Sequence, residues 1–417
     1  MSAQPYCHHD SREAAGGRPR LDVAPALKPA AWAPTPPSRQ PRVKTSGLAR
    51  AARSVTAPLA VLVTSMAALG CTLGAATASA ATTSAAPAVA ATGVTWHKLA
   101  LSNGWQSSQA RYNTGDPAWA VRSGIVYLSG SMHQAAGSNP TFAVLPKAAR
   151  PARALYITVY TFDGTTGHLY ITPDGQMFVY STPAGNARDY TSLAAVSFPA
   201  AGTAGHKLSL INGWKSSQSA WDTGDPAYSV RGGVVYLSGA MHQAAGTNKK
   251  VGSLPKAARP ASVEYLTVYT DAGTTGQLLV YPKGPIYAVG AATRSFTSLA
   301  GISFPAAAAA RHPMTLVNGW HSAQVGWSAG DPAYSVSGGV VYLSGSLAET
   351  GTSSEIAAVL PKAARPSHYL YIKTTTVYGT VGTIEITPGG QLWAYSQPPI
   401  EARVLTSLAA ISYPLTS

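Results

Sequence analysis

The heptapeptide LPKAARP occurs three times in the 417 residues, at 145–151, 254–260 and 360–366. It is the most visible part of a longer repeat, because Trp105, Trp214 and Trp320 keep the same spacings of 109 and then 106 residues. Each copy opens on Asn-Gly-Trp, continues through Gly-Asp-Pro-Ala and a Val-Tyr-Leu-Ser-Gly run, and closes on a Thr-Ser-Leu-Ala segment. Self-similarity at a fixed period means one folding unit used several times. A period of about 105 residues is long enough for each unit to bury its own core. The copies are expected at 97–200, 206–305 and 314–417, joined by Ala/Gly-rich linkers such as 306–310, after a linker at 81–96.

Within a copy the pattern is strand and turn. Ile125 to Ser129 is a β-branched and aromatic run bounded by Gly124 and Gly130. Residues 155–160 read as another strand, and 168–171 and 176–180 flank a Thr-Pro-Asp-Gly turn. In that turn Pro presets one backbone angle and Gly accepts a positive φ. No segment shows sustained helical periodicity, and seven or eight strands in about 105 residues predict an all-β chain of three antiparallel β-sandwich, jelly-roll-like modules. The heptapeptide then reads as a joint between sheets: Leu145 enters the core, and Pro146 and Pro151 keep the flanking backbone extended.

Residues 1–80 read as a disordered, low-complexity segment carrying an export signal. Arg50 and Arg53 precede an apolar stretch from Ala57 to Leu73, and Ala78-Ser79-Ala80 supplies a small-x-small cleavage pattern. The apolar stretch is interrupted and short for a membrane span, so an extracellular protein, free or wall-associated, without stable membrane insertion is expected. A start at Val43 would give a signal peptide of ordinary length. Both cysteines, Cys7 and Cys71, precede the cleavage pattern, so the processed chain would have no disulfide. Of the +14 net charge, nine Lys/Arg against three Asp/Glu lie in residues 1–80. The remaining basic residues are not clustered, which argues against nucleic acid as a partner.

The repeats resemble the receptor-binding head domains at the C-termini of phage tail-fibre and baseplate proteins. The resemblance rests on Leu145-Pro146…Arg150-Pro151 and Ser192-Leu193…Val196…Phe198, with their counterparts in the other copies. It implies a β-sandwich that binds cell-surface carbohydrate, usually as a trimer. Three fused heads would then form an intramolecular pseudo-trimer; the alternative is three independent beads on short strings.

Candidate chemistry is sparse. The acidic position shared by all copies is Asp116, Asp225 and Asp331. An Asp-Pro pair commonly opens a turn by accepting backbone N–H groups. Arg150, Arg259 and Arg365, or Arg188, Arg294 and Arg403, are its candidate ion-pair partners. Paired catalytic carboxylates need a second recurrent acid, which the copies do not supply. His133 and His242 match one another, Ala348 replaces them in the third copy, and an exposed loop position is expected for them. Cys7-His8-His9-Asp10 resembles a metal tract but precedes the cleavage pattern. No catalytic residue, cofactor or metal site is assigned.

The aromatics carry the functional expectation. Tyr112, Trp221 and Trp327 occupy one matched position, and Trp119, Tyr228 and Tyr334 another. Flat rings suit the apolar faces of sugars, and the aspartates can read hydroxyls. The Asn-Gly-Trp tryptophans read as core residues. The expected protein is a secreted, non-enzymatic, multivalent binder of cell-surface or cell-wall carbohydrate. The alternative is a structural or assembly protein of a cell envelope or phage-derived particle, and an enzyme acting on wall polysaccharide ranks third.

Overall fold

In the first copy of the repeat, strands β1 (His97–Lys98), β2 (Trp105–Ser107), β3 (Ala118–Arg122), β4 (Ile125–Ser129), β5 (Ser131–Gln134) and β6 (Thr141–Val144) precede the heptapeptide. Strands β7 (Leu155–Tyr160), β8 (Thr166–Ile171), β9 (Gln176–Ser181), β10 (Thr191–Ser192) and β11 (Ser197–Pro199) follow it. The computed structural model describes residues 94–351 and 354–415, all within one compact unit. The expected export signal, both cysteines and the Cys-His-His-Asp tract lie outside the described residues. The described chain is almost entirely β, with corresponding antiparallel sheets in the second and third copies, one of which gains an edge strand, Thr315–Leu316, in the third. None of its helices is long and apolar enough to cross a membrane.

One four-stranded sheet runs β1-β3-β4-β11, another runs β6-β9-β8-β7, and β10-β5-β2 form a third. The two larger sheets share a core in which Val126 and Leu128 meet Ile157, Val159, Leu169, Ile171, Met177 and Val179. Strand β7 shows the period of two that a half-covered sheet requires: Leu155, Ile157 and Val159 are buried, while Tyr156, Thr158 and Tyr160 are half-buried. Trp105, Trp214 and Trp320 are buried, and each indole N–H donates to a loop carbonyl, Asn139, Asn248 or Ser354.

The heptapeptide is a joint, but not between sheets. It connects β6 to β7, the two opposite edges of one sheet, and so crosses the end of that sheet. Leu145 is fully buried, Lys147–Ala149 make a single 3₁₀ turn, and Arg150 Nε donates back to the Leu145 carbonyl at 3.0 Å. The linkers are tied to it as well: Ala201 N donates to Arg150 O, and Ala307 N donates to Arg259 O. Helical turns also occur, at Gln109–Tyr112 and Ala184–Asp189. At four and six residues they are too short to leave a 3.6-residue signature in sequence.

Strand β4 is buried along its whole length, which demands cover on both faces. Val126 and Leu128 face the core of their own copy. Ile125 and Tyr127 instead pack with Val234, Tyr236, Val340 and Tyr342, the matching residues of the other two copies, and with Val94 and Trp96. The three tyrosine hydroxyls form a closed hydrogen-bonded triangle with sides of 2.8, 2.9 and 2.8 Å. Burial holds the Tyr236 and Tyr342 phenols well above the ordinary tyrosine range. Around such a ring each hydroxyl can donate once and accept once. Tyr236→Phe breaks the cycle and leaves a buried hydroxyl short of a partner, with an expected loss of about 1–3 kcal/mol. Urea unfolding checks this; an unchanged midpoint would mean that the triangle contributes nothing.

Contacts between copies run in one direction and return. Ala154 N donates to Asp222 O, Val263 N to Ser328 O, and Tyr369 N to Asn113 O, linking the first copy to the second, the second to the third and the third to the first. The cores follow the same order. Ala300 of the second copy enters the first core, Ala409 of the third enters the second, and Ala194 and Ala195 of the first pack on the third. Matching positions on the three heptapeptide-following strands, Thr158, Thr267 and Lys373, line one small cavity of about 50 Å³ among the copies.

Candidate ligand-binding clefts at the junctions

The short helix Gln109–Tyr112 ends at Asn113, whose backbone takes the left-handed conformation (φ 52°) and turns the chain toward Gly-Asp-Pro. Tyr112 therefore leaves the last helical position and stands at the junction with the third copy. Its ring meets Tyr190 edge-on at 4.9 Å, and Tyr371 of the third copy meets Tyr190 at 5.9 Å. Tyr112, Tyr160, Phe162, Asp163, Tyr190 and Tyr371 line a cleft of about 120 Å³. The other two junctions are built alike. Trp221 lies 4.8 Å from Phe296 and 5.9 Å from Tyr156 of the preceding copy. Trp327 lies 6.2 Å from Tyr265, whose hydroxyl donates to the Trp327 carbonyl, and 6.3 Å from the exposed Tyr378.

The second aromatic set stands elsewhere. Trp119, Tyr228 and Tyr334 lie against His97, His206 and His312 of the paired edge strands, with ring centroids 4.6, 5.3 and 5.2 Å apart. Their inner faces pack on the cores of their own copies. None of the three lines the Tyr112 cleft. The two matched aromatic positions thus belong to different surfaces of the molecule.

The aspartates are held by groups other than those expected from sequence. Ser107 Oγ donates to Asp116 Oδ1 at 2.7 Å, and Lys98 Nζ lies 2.6 Å from Oδ2. Lys207 Nζ lies 2.5 Å from Asp225 Oδ2. These lysines, then the neighbouring serine hydroxyls, hold both carboxyls below the usual carboxylate range. The arginines do not take part. Arg150, Arg259 and Arg365 each donate Nε to the leucine carbonyl that opens their own heptapeptide. Arg403 pairs with Glu349 at 3.0 Å, and Arg294 reaches the Thr247 carbonyl. A planar fork folded onto its own loop is committed there, whereas the lysine arrives by strand pairing. Asp331 keeps the serine contact, from Ser322 Oγ at 2.7 Å, but the lysine position holds Pro313.

The matched histidines are not on loops. His133 lies on β5 and His242 on the corresponding strand, and each Nδ1 is 3.1 Å from a serine hydroxyl, Ser108 or Ser217, at the start of the short helix. In the third copy both members of the pair are alanine, Ala323 and Ala348. The pair links the helix to the strand in the first two copies, and the same helix, Gln324–Trp327, forms in the third without it.

Two groups of residues at these junctions escaped the sequence reading. Tyr156, Tyr265 and Tyr371 are second residues of the strands after the heptapeptide, where they alternate with buried residues. Nothing local indicated that another copy would meet them. Lys98 and Lys207 were legible only as a His-Lys, His-Lys, His-Pro series at matched edge-strand positions. Comparison of the chain with protein-family models, curated proteins and solved structures returned no match.

Proposed function

We propose that the chain is a secreted, non-enzymatic, multivalent binding protein for cell-surface or cell-wall carbohydrate, its three copies held as an intramolecular pseudo-trimer. The observation that carries this reading is the recurrence of an aromatic cluster at each junction, with Tyr112, Trp221 or Trp327 from one copy and a tyrosine from the preceding one, which at the first copy lines a cleft. A cleft with exposed ring faces and polar neighbours such as Asp163 offers stacking to the apolar face of a sugar and hydrogen bonds to its hydroxyls. Sites fixed around one ring gain avidity when a polymer engages several at once, without any one of them binding tightly. The cyclic return of the Tyr369–Asn113 contact supports the pseudo-trimer.

Glycan-array and cell-wall pull-down measurements on the full chain test the binding reading. Binding is expected, and replacing Tyr112, Trp221 and Trp327 together by alanine is expected to weaken it at least tenfold, about 1.4 kcal/mol. Absence of binding to every glycan and wall preparation would favour an assembly role. Small-angle scattering tests the arrangement: a compact profile is expected, and an elongated one with independent modules would exclude the pseudo-trimer.

A further inference from the structure

The aspartates of the three Gly-Asp-Pro turns are matched sites, two of which the chain fills from within. Lys98 is placed by its register opposite Ala118, and Lys207 by its register opposite Ala227, so each ammonium group arrives on the carboxylate oxygen that serine leaves open. In the third copy the same register sets Pro313 opposite Ala333. No ammonium can come from that position, yet Ser322 still orients Asp331 through Oδ1. Where the lysine would lie, a cavity of about 470 Å³ opens between the second and third copies, lined by Asp331, Pro313, Gln324, Ser328, Arg311 and Ser262. The Arg311 guanidinium donates to the carbonyls of Pro305, Ala306 and Ala307 at 3.2, 3.0 and 3.3 Å, which direct its N–H groups to the backbone.

We propose that this cavity binds the primary ammonium group of a ligand, with Asp331 Oδ2 making from outside the contact that Lys98 and Lys207 make from inside. The geometry of the filled copies is the template: an N⁺–H to carboxylate hydrogen bond, the stronger class of such bonds, on a carboxylate already fixed by a serine. The volume falls in the range of small-molecule sites and far exceeds one ammonium group. Ser262, Ser328 and Gln324 line the rest of the space with hydroxyl and amide groups that suit a polyhydroxylated frame. Joined to the carbohydrate reading, on which this last step rests, the ligand class is an amino sugar with an unsubstituted amine. N-acetylation removes the charge that the carboxylate pairs with, so the acetylated sugar binds more weakly.

Calorimetric titration of the full chain with a glucosamine tetramer, its fully N-acetylated counterpart and butylamine tests the proposal. The two free amines are expected to bind, and the acetylated tetramer at least tenfold more weakly than the free tetramer. Pro313→Lys refills the cavity from within and is expected to abolish amine binding while keeping the thermal unfolding temperature at or above that of the unaltered chain. Asp331→Asn is expected to weaken amine binding at least tenfold, and Asp116→Asn to leave it unchanged. Failure of both amines to bind, or equal binding by the unaltered chain and either third-copy variant, overturns the ammonium site. Butylamine binding that is lost in both variants, with no binding of either sugar, keeps the ammonium site and removes the amino-sugar assignment together with the carbohydrate reading of this cleft.

Discussion

Glu264→Leu is expected to stabilise the protein by about 3 kcal/mol at neutral pH, from 1.36 kcal/mol per unit of pKa displacement. Glu264 opens the strand Glu264–Tyr269, at the position that Leu155 and Leu370 hold in the other copies, and is only 1% exposed. Its Oε1 has no hydrogen-bond partner among the described residues. Burial pushes the carboxyl up to about 8, and the Arg311 charge opposes that only in part. The folded protein thus keeps a proton that the unfolded chain releases near the ordinary glutamate value. Between about pH 4.5 and 8 the folded state binds more protons, so stability falls as pH rises through this window, and the full penalty applies above it. Leucine removes the penalty and restores the apolar contact of the matching positions. Urea unfolding of both proteins from pH 5 to 8.5 checks this. The gap should widen with pH, and parallel stability curves would show that Glu264 carries no such burden.

The second large effect has the opposite pH course. Lys373 lines the cavity among the three copies, where the matching residues are Thr158 and Thr267. Its Nζ donates to the Gly164 carbonyl at 2.7 Å and to Thr383 Oγ1 at 3.1 Å. Burial nevertheless lowers its pKa to about 8. Between about pH 8 and 10.5 the unfolded chain holds a proton that the folded chain has lost, so stability rises with pH across that window. Below pH 8 the folded protein carries the whole cost of a buried ammonium, on the order of 3 kcal/mol by the same conversion, offset by the lost hydrogen bond to Gly164. Lys373→Thr is therefore expected to stabilise by about 2 kcal/mol at pH 7 and by progressively less up to pH 10. Denaturant unfolding at pH 7 and 9.5 tests it. An equal gain at both values would assign the effect to packing instead of charge.

Much of the strand framework was legible because the chemistry is local. Alternation in residues 155–160, the Thr-Pro-Asp-Gly turn and the β-branched run at 125–129 each specify a short strand or hairpin without reference to the rest of the chain. The course of the heptapeptide was not legible: its prolines predict extended flanks, but only the order β6-β9-β8-β7 shows that it spans one sheet. The unbroken apolar run of β4 signals two covered faces, and sequence cannot say that two other copies cover the second. The clefts were half visible for a related reason. Tyr112 and Trp119 were both recognisable as matched aromatics, but their separation onto two surfaces depends on a left-handed turn at Asn113 and on a histidine from an edge strand. The lysine partners of Asp116 and Asp225 required strand register, which a carboxylate and an amine 18 residues apart do not reveal.

Joining the copies in one chain has a consequence for how they can diverge. In an assembly of three identical subunits every substitution is made three times. A lysine at the position of Lys373 would put three ammonium groups into a space of about 50 Å³, and a proline at the position of Pro313 would strip all three aspartates of a lysine partner. A single polypeptide can accept either change once, because the two unaltered copies keep the packing that the altered one disturbs. Asymmetry then becomes a resource: one copy can specialise at a junction while its siblings preserve the frame.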